Sequence, residues 1–156
     1  MLFRSNIQYE VACWHEPNIN PSTFPTASSY HDYVGFYAPA VRSVNPDIPI
    51  VYIPAMTGFG IMAWKMAPAY YPGDVLIDKI LVDYYGNDHM GGIRLDAIMA
   101  VADGARLSPK PFGLAEWGDS NDKLVGRTDF NAYVNYLVGL FTSRLSSGKT
   151  NADMAW

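Results

Sequence analysis

The stretch Phe112-Gly-Leu-Ala-Glu-Trp117 is a short apolar run that ends on a carboxylate and an indole. A run of this length, flanked by Pro111 and Gly118, is typical of a buried β-strand. Burying the carboxylate of Glu116 is costly unless it has a purpose or a partner. Because parallel α/β sheets build their sites at the carboxyl ends of their strands, this stretch bears on both the fold and the function.

Four further apolar runs are similar in length, are rich in β-branched or aromatic residues, and are flanked by Pro, Gly or Asn. They lie at residues 9–14, 48–54, 80–85 and 152–156. We therefore predict five strands, with successive strands separated by about 35 residues, a spacing that suits β/α barrel units.

Amphipathic stretches between these runs predict three helices, at about residues 29–44, 93–107 and 130–145. Ser28 or Ser29 is expected to cap the first helix, and Pro39 is expected to kink it. The region from residue 57 to 78 has no clear period and is predicted to be irregular.

Strands that alternate with helices predict an α/β fold in which parallel strands are covered by helices. Five strands do not close a (β/α)₈ TIM barrel, which needs about 250 residues. The expected fold is therefore a partial barrel. The alternative is a complete open sheet of the flavodoxin type, which would place Glu16 and Glu116 well beyond about 10 Å from each other.

Composition limits the classes of function. The 156 residues are 49% hydrophobic and 17% charged, with a net charge of −4, so we expect a folded domain with no nucleic-acid or membrane partner. Cys13 is the only cysteine, which excludes an internal disulfide. The three histidines show no metal-ligand spacing, and we expect neither a metal nor a cofactor. No secretory signal is visible, so the sequence alone leaves the compartment unknown.

Two carboxylates end predicted strands in a similar setting. Glu16 follows Cys13-Trp14-His15, and Glu116 is flanked by Trp117. A pair of this kind suits glycosidic bond cleavage, in which one carboxyl group protonates the leaving oxygen and the other attacks the anomeric carbon. In retaining enzymes the two groups are about 5–5.5 Å apart.

The segment Trp14-His15-Glu16-Pro17-Asn18 resembles the acid/base segment of clan A glycoside hydrolases, and the His before the Glu is similar to glycoside hydrolase family 26. Residues 115–118 resemble the nucleophile segment on strand seven of that family. Residues 71–74 and 82–86 resemble its stretch leading into strand six. The matches keep the family's order and extend over most of the chain.

This resemblance implies that residues 1–156 are the C-terminal portion of one catalytic (β/α)₈ domain, approximately strands 4 to 8. It implies a retaining endo-hydrolase of β-mannan, or of β-glucan or xylan, that acts outside the cell. Glu16 would be the acid/base and Glu116 the nucleophile. The candidate substrate contacts are His15, Trp14, Tyr84, Tyr85, Trp117, Trp64 and Trp156.

Departures from the family pattern leave other interpretations open. Pro17 stands where the family usually has another residue, and Met90 aligns with the Tyr that supports the nucleophile, so Tyr84 or Tyr85 would replace it. Trp64 is equally well explained as a packing anchor. Strands one to three are absent. The alternative function is therefore a non-catalytic carbohydrate-binding half-barrel that associates with itself or with a missing half.

Overall fold

A computed structural model describes residues 10–56, 63–85, 92–104, 109–118 and 127–149. It is an α/β fold around a four-stranded parallel sheet. The strands lie in chain order and are β1 (Val11–His15), β2 (Ile50–Ile53), β3 (Lys79–Tyr85) and β4 (Phe112–Gly118). Four of the five predicted strands are confirmed, and the fifth, at residues 152–156, lies outside the described residues.

Four α-helices are described together with the sheet. They are α1 (Ala27–Val44), α2 (Ala63–Met66), α3 (Gly92–Asp103) and α4 (Arg127–Ser146). The three long helices were predicted. The single turn of α2 falls in the region expected to be irregular, and a four-residue helix is too short to show a period. Within the described parts, no helix is both long and apolar enough to cross a membrane.

The start of α1 differs from the sequence prediction. The cap is Thr26, not Ser28 or Ser29, and its hydroxyl accepts a hydrogen bond from the backbone N–H of Ser29 at 3.1 Å. The Ser29 hydroxyl in turn accepts from the backbone N–H of Thr26 at 3.2 Å. This reciprocal capping box satisfies two backbone donors. The α-helix continues through Pro39 to Val44.

The strand order indicates how the helices are arranged. Because β1 to β4 follow one another without reversal, right-handed crossovers bring the connecting helices to the same face of the sheet. A flavodoxin-type sheet reverses its order at a switch point, and the described strands contain no such reversal.

The two faces of the sheet have different cores. Ile80, Val82 and Tyr84 of β3 belong to a large cluster that includes helix residues such as Val34 and Leu95. On the other face, a small cluster joins strand residues only among those described, namely Val51 and Leu81, with Ile53 and Ala115 packed against them. Helices therefore cover one face, which we call the outer face. The other is the inner face.

Ion pairs attach the long helices to their surroundings. Arg42 of α1 donates to the carboxylate of Asp78 at 3.1 Å, and this carboxylate also accepts from the backbone N–H of Ile50 at 2.8 Å. The almost fully buried Arg144 of α4 donates to Asp103 at 2.7 Å and lies 5.2 Å from the ring centroid of Phe112. These contacts fix α1 and α4 relative to the strands that carry the candidate site.

Candidate active site

The chain turns sharply at the carboxyl end of β1. Glu16 adopts a left-handed backbone conformation with φ 51° and ψ 52°, and within the described residues it is the only non-glycine residue with positive φ. Such a conformation costs on the order of 1 kcal/mol or more and is concentrated at functional sites. The backbone N–H of Glu16 donates to the carbonyl of Ile53 at 2.9 Å, which holds the turn against β2.

Pro17, a departure from the family pattern, fits this turn. It is the first residue of a short 3₁₀-helix, Pro17–Ile19. At the first helical position the N–H has no partner within the helix, so proline loses nothing there, and its fixed φ suits the helix. Pro17 thus fixes the direction in which the chain leaves Glu16.

Asn18 holds the same turn from within the protein. Its buried side-chain amide donates to the carbonyls of Ala55 at 2.8 Å and Ala63 at 3.0 Å. Its side-chain oxygen accepts from the backbone N–H of Ala55 at 2.9 Å. Asn18 therefore connects the segment after β1 to the segment after β2 and to α2. Asn18 belongs to the motif of residues 14–18, but this role was not predicted from the sequence.

Three side chains from three strands meet at the inner face. The His15 Nε2 atom of β1 lies 2.6 Å from Oδ2 of Asp83 on β3 and 3.3 Å from Oε1 of Glu116 on β4. The Asp83 side chain is fully buried, whereas those of His15 and Glu116 are 49% and 46% exposed. We call His15, Asp83 and Glu116 the inner cluster.

The inner cluster shows that the sheet is strongly curved. In a flat sheet, β1 and β4 would be separated by three strand spacings, or about 14 Å, and their side chains would stand parallel to one another. The contact between His15 and Glu116 at 3.3 Å is much shorter than this separation. The carboxyl ends of β1 and β4 must therefore curve towards each other on the inner face.

The carboxyl group of Asp83 is buried, where a negative charge is unfavourable. Burial raises its pKa to about 7; the charge of His15 acts against this shift, and the charges of Glu116 and Glu16 add to it. The nearby backbone N–H of Glu116 lowers the pKa of Asp83. It does not form a full hydrogen bond, because neither side-chain oxygen of Asp83 accepts one within the described residues.

Glu16 is also perturbed. Partial burial raises the pKa of its carboxyl group, His15 opposes the shift, and the negative charge of Glu116 acts in the same direction as burial. Burial is the largest of these influences, and the charge of Glu116 is the smallest.

The aromatic residues that were predicted to contact substrate pack mainly against other parts of the protein. The ring of Trp14 packs edge-on against two other rings, that of Phe24 and that of Tyr33 on α1. The distances between ring centroids are 5.3 Å and 6.2 Å, respectively. Tyr84 is buried in the outer-face core, and Trp117 packs partly buried against the same core. The structure does not bring these two rings to the inner cluster.

Trp64 on α2 packs partly buried against the outer-face core, and the Lys65 ammonium group lies 5.3 Å from its ring centroid. This position agrees with the interpretation of Trp64 as a packing anchor. Tyr85 ends β3, but its side chain is outside the described part of the chain, as is Trp156. Their roles as substrate contacts stay predictions.

Asp83 is the residue of the inner cluster that the sequence analysis did not select. The signal was present, since Asp83 is a lone charged residue inside the apolar run Ile80–Tyr85, the same signal that singled out Glu116. The donor atoms of the inner cluster also lie within 4.8 Å of one another, as a metal ion requires. Histidine spacing alone, from which we expected no metal, does not detect ligands that come from separate strands.

In comparisons with known proteins, no family model, no curated protein and no solved structure matches this chain.

Proposed function

We propose that this chain is the catalytic C-terminal portion, approximately strands 4 to 8, of a (β/α)₈ barrel in a retaining glycoside hydrolase similar to family 26. Its substrate is a β-linked polysaccharide, namely β-mannan or a β-glucan or xylan. The observation that supports this most is the contact of His15 with Glu116 across β1 to β4, because it brings the predicted acid/base segment next to the predicted nucleophile.

The two carboxylates have different roles in this proposal. Glu16 is the proton donor to the leaving glycosidic oxygen, a role that the upward shift of its pKa favours. As that C–O bond breaks, a carboxylate oxygen of Glu116 forms a bond to the anomeric carbon. Glu16 then takes a proton from water, the water oxygen attacks the anomeric carbon, and the bond to Glu116 breaks, which restores both groups.

His15 positions the nucleophile. Its imidazole lies between the buried Asp83 and the half-exposed Glu116, so a proton on Nε2 is attracted to both carboxylates. Asp83 is thus a positioning residue that acts through His15. The curvature of the sheet supports the same proposal, because a barrel closes only if its strands bend towards a common axis.

Replacing the nucleophile tests the proposal. Glu116→Ala should abolish release of reducing ends from β-mannan and mixed-linkage β-glucan, because the glycosyl-enzyme bond can no longer form. Added azide should restore turnover of an aryl glycoside with a good leaving group and give a glycosyl azide of opposite anomeric configuration. Glu10→Ala, at an exposed residue that pairs with Lys79, is the matched control and should keep full activity.

The acid/base is tested separately. Glu16→Gln should lower turnover of polysaccharide about a thousandfold, which lies within the usual range for a general acid. It should affect an aryl glycoside with a good leaving group far less, because that group needs no proton. Undiminished polysaccharide hydrolysis by either variant would overturn the proposed function, and sugar binding without turnover by the wild-type protein would favour the carbohydrate-binding half-barrel.

A further inference from the structure

We propose that the inner cluster also binds a divalent transition-metal ion, specifically Zn²⁺, and that this ion blocks the active site. The binding claim depends only on the three side chains, whereas the blocking claim rests on the proposed glycosidase function. His15 supplies an imidazole nitrogen, and Asp83 and Glu116 supply carboxylate oxygens. One imidazole with two carboxylates is a donor set that Zn²⁺ accepts, with a fourth position left for water.

The spacing of the donor atoms suits this ion. Zn²⁺ binds nitrogen and oxygen at about 2.0–2.2 Å in a tetrahedron, which places neighbouring ligand atoms about 3.3–3.5 Å apart. The Nε2 atom of His15 is 3.3 Å from the Glu116 oxygen, as the tetrahedron requires, and 2.6 Å from the Asp83 oxygen, a distance that must widen. His15 and Glu116 are half exposed and can make that adjustment.

The buried carboxylate gives an independent reason to expect a cation here. The side chain of Asp83 is fully buried and directed at His15, yet neither of its oxygens accepts a hydrogen bond within the described residues. A buried carboxylate in this state has lost its hydration without full compensation. A bound cation supplies the missing interaction, and the two exposed ligands leave a route for the ion to enter.

A metal ion at this place would remove the nucleophile from catalysis. A Glu116 carboxylate that is bonded to Zn²⁺ would be a much weaker nucleophile towards the anomeric carbon, because the ion withdraws its negative charge. The ion would also occupy the space in which the sugar must approach Glu116. Inhibition by Zn²⁺ should therefore be competitive with substrate and reversible by a chelator.

Calorimetric titration of the full chain with ZnCl₂, without any sugar, tests the binding claim. One ion per chain is expected. Asp83→Asn and His15→Gln should each weaken binding at least about tenfold, as loss of a ligand contact does. The matched controls are Asp32→Asn and His31→Gln on α1, which should leave the affinity unchanged. Equal affinity in all four variants, or no binding to the wild type, would overturn the proposal.

A second measurement remains valid if a variant folds poorly. Co²⁺ in place of Zn²⁺ should give the wild-type protein a visible absorption band of tetrahedral cobalt, and an excess of Zn²⁺ should remove that band. Octahedral cobalt only, with a weak band unaffected by Zn²⁺, would contradict the assigned donors.

The activity assay separates the two proposals. If the wild-type protein hydrolyses polysaccharide but Zn²⁺ neither binds nor inhibits, the metal proposal fails and the glycosidase proposal stands. If Zn²⁺ binds as described but no β-linked polysaccharide is cleaved, the metal site stands and the proposed function fails. Binding without competitive inhibition of an active protein would overturn the blocking claim alone.

Discussion

The inner and outer faces of the sheet bury different kinds of polar group. On the outer face, the buried hydroxyl of Tyr52 donates to the carbonyl of Ala67 at 2.7 Å, and that of Tyr70 donates to the carbonyl of Phe24 at 3.1 Å. On the inner face, the carboxyl group of Asp83 is equally buried, but its two oxygens accept no hydrogen bond within the described residues. The outer face also buries one hydroxyl without a partner among the described residues, that of Tyr30, but a hydroxyl is neutral. The inner face therefore carries the larger electrostatic cost, because its buried group is ionisable.

Adjacent residues on β3 allow the sharpest comparison. Ile80→Ala should destabilise the protein by about 4 kcal/mol, because Ile80 is fully buried in the large outer-face core. Leu81→Ala should cost about 2 kcal/mol, because its inner-face cluster is much smaller. Chemical unfolding in urea measures both values. A larger loss for Leu81→Ala would show that the inner face contributes more to stability than its cluster indicates.

Asn18 lies close to Glu16 in the candidate site, but it is buried and stabilises the fold through its hydrogen bonds. Asn18→Ala removes three hydrogen bonds and leaves the buried N–H of Ala55 without its partner, so we expect a loss of about 3 kcal/mol. Polysaccharide turnover should fall as well, because the turn that carries Glu16 is released. The control is Asn45→Ala in an exposed turn, which should change the midpoint of unfolding little. Equal effects of the two substitutions would contradict the role given to Asn18.

The pH dependence of stability should distinguish the two faces. The folded pKa of Asp83 is raised to about 7 from an ordinary value of 3.8, so its destabilising effect is absent below pH 4, grows as the pH rises, and is complete above pH 7. Asp83→Asn should therefore stabilise the protein, relative to the wild type, by about 2 kcal/mol more at pH 8 than at pH 5.

Unfolding curves at the two pH values measure this difference for Asp83→Asn. The exposed Asp32→Asn on α1 serves as the control and should show no such dependence on pH. A constant effect of Asp83→Asn at both pH values would indicate that the carboxyl group is not perturbed in the folded protein.

The smallest expected effect lies far from either face. Thr26→Ala removes the capping hydroxyl of α1 and should lower stability by about 1 kcal/mol. Thr23→Ala, at an exposed threonine in the preceding turn, should have almost no effect. Thermal unfolding of the two variants side by side tests the capping box. A cap at Ser28 or Ser29 would instead make Thr26→Ala harmless.

Local patterns were sufficient to predict much of the fold. The apolar runs located four strands, and helical periods located α1, α3 and α4, because both signals lie within short windows of sequence. The cap of α1 was missed because Thr26 lies outside the apolar period, where several hydroxyl residues compete for the role. The four-residue helix α2 was not predictable from a period of 3.6 residues.

The site was only partly predictable, for a physical reason. Glu16, Glu116 and His15 were found at strand ends, but the contact between His15 and Glu116 depends on the curvature of the sheet, which no single segment encodes. Strand alternation determines that Tyr84 faces the helices and Asp83 the inner face. Tyr84 was predicted as a substrate contact and Asp83 was not selected, because apolar runs alone do not say which of two adjacent strand residues faces the helices.

The contact between His15 and Glu116 has a consequence for how the protein acquires its site. The two residues are about 100 positions apart in the sequence, and contacts of long sequence separation carry a large loop-closure entropy. The inner cluster can therefore assemble only after β1 to β4 have all taken their places. A partly folded chain would contain all three residues of the inner cluster without the cluster itself, so the appearance of metal binding during refolding would report the last step of sheet formation.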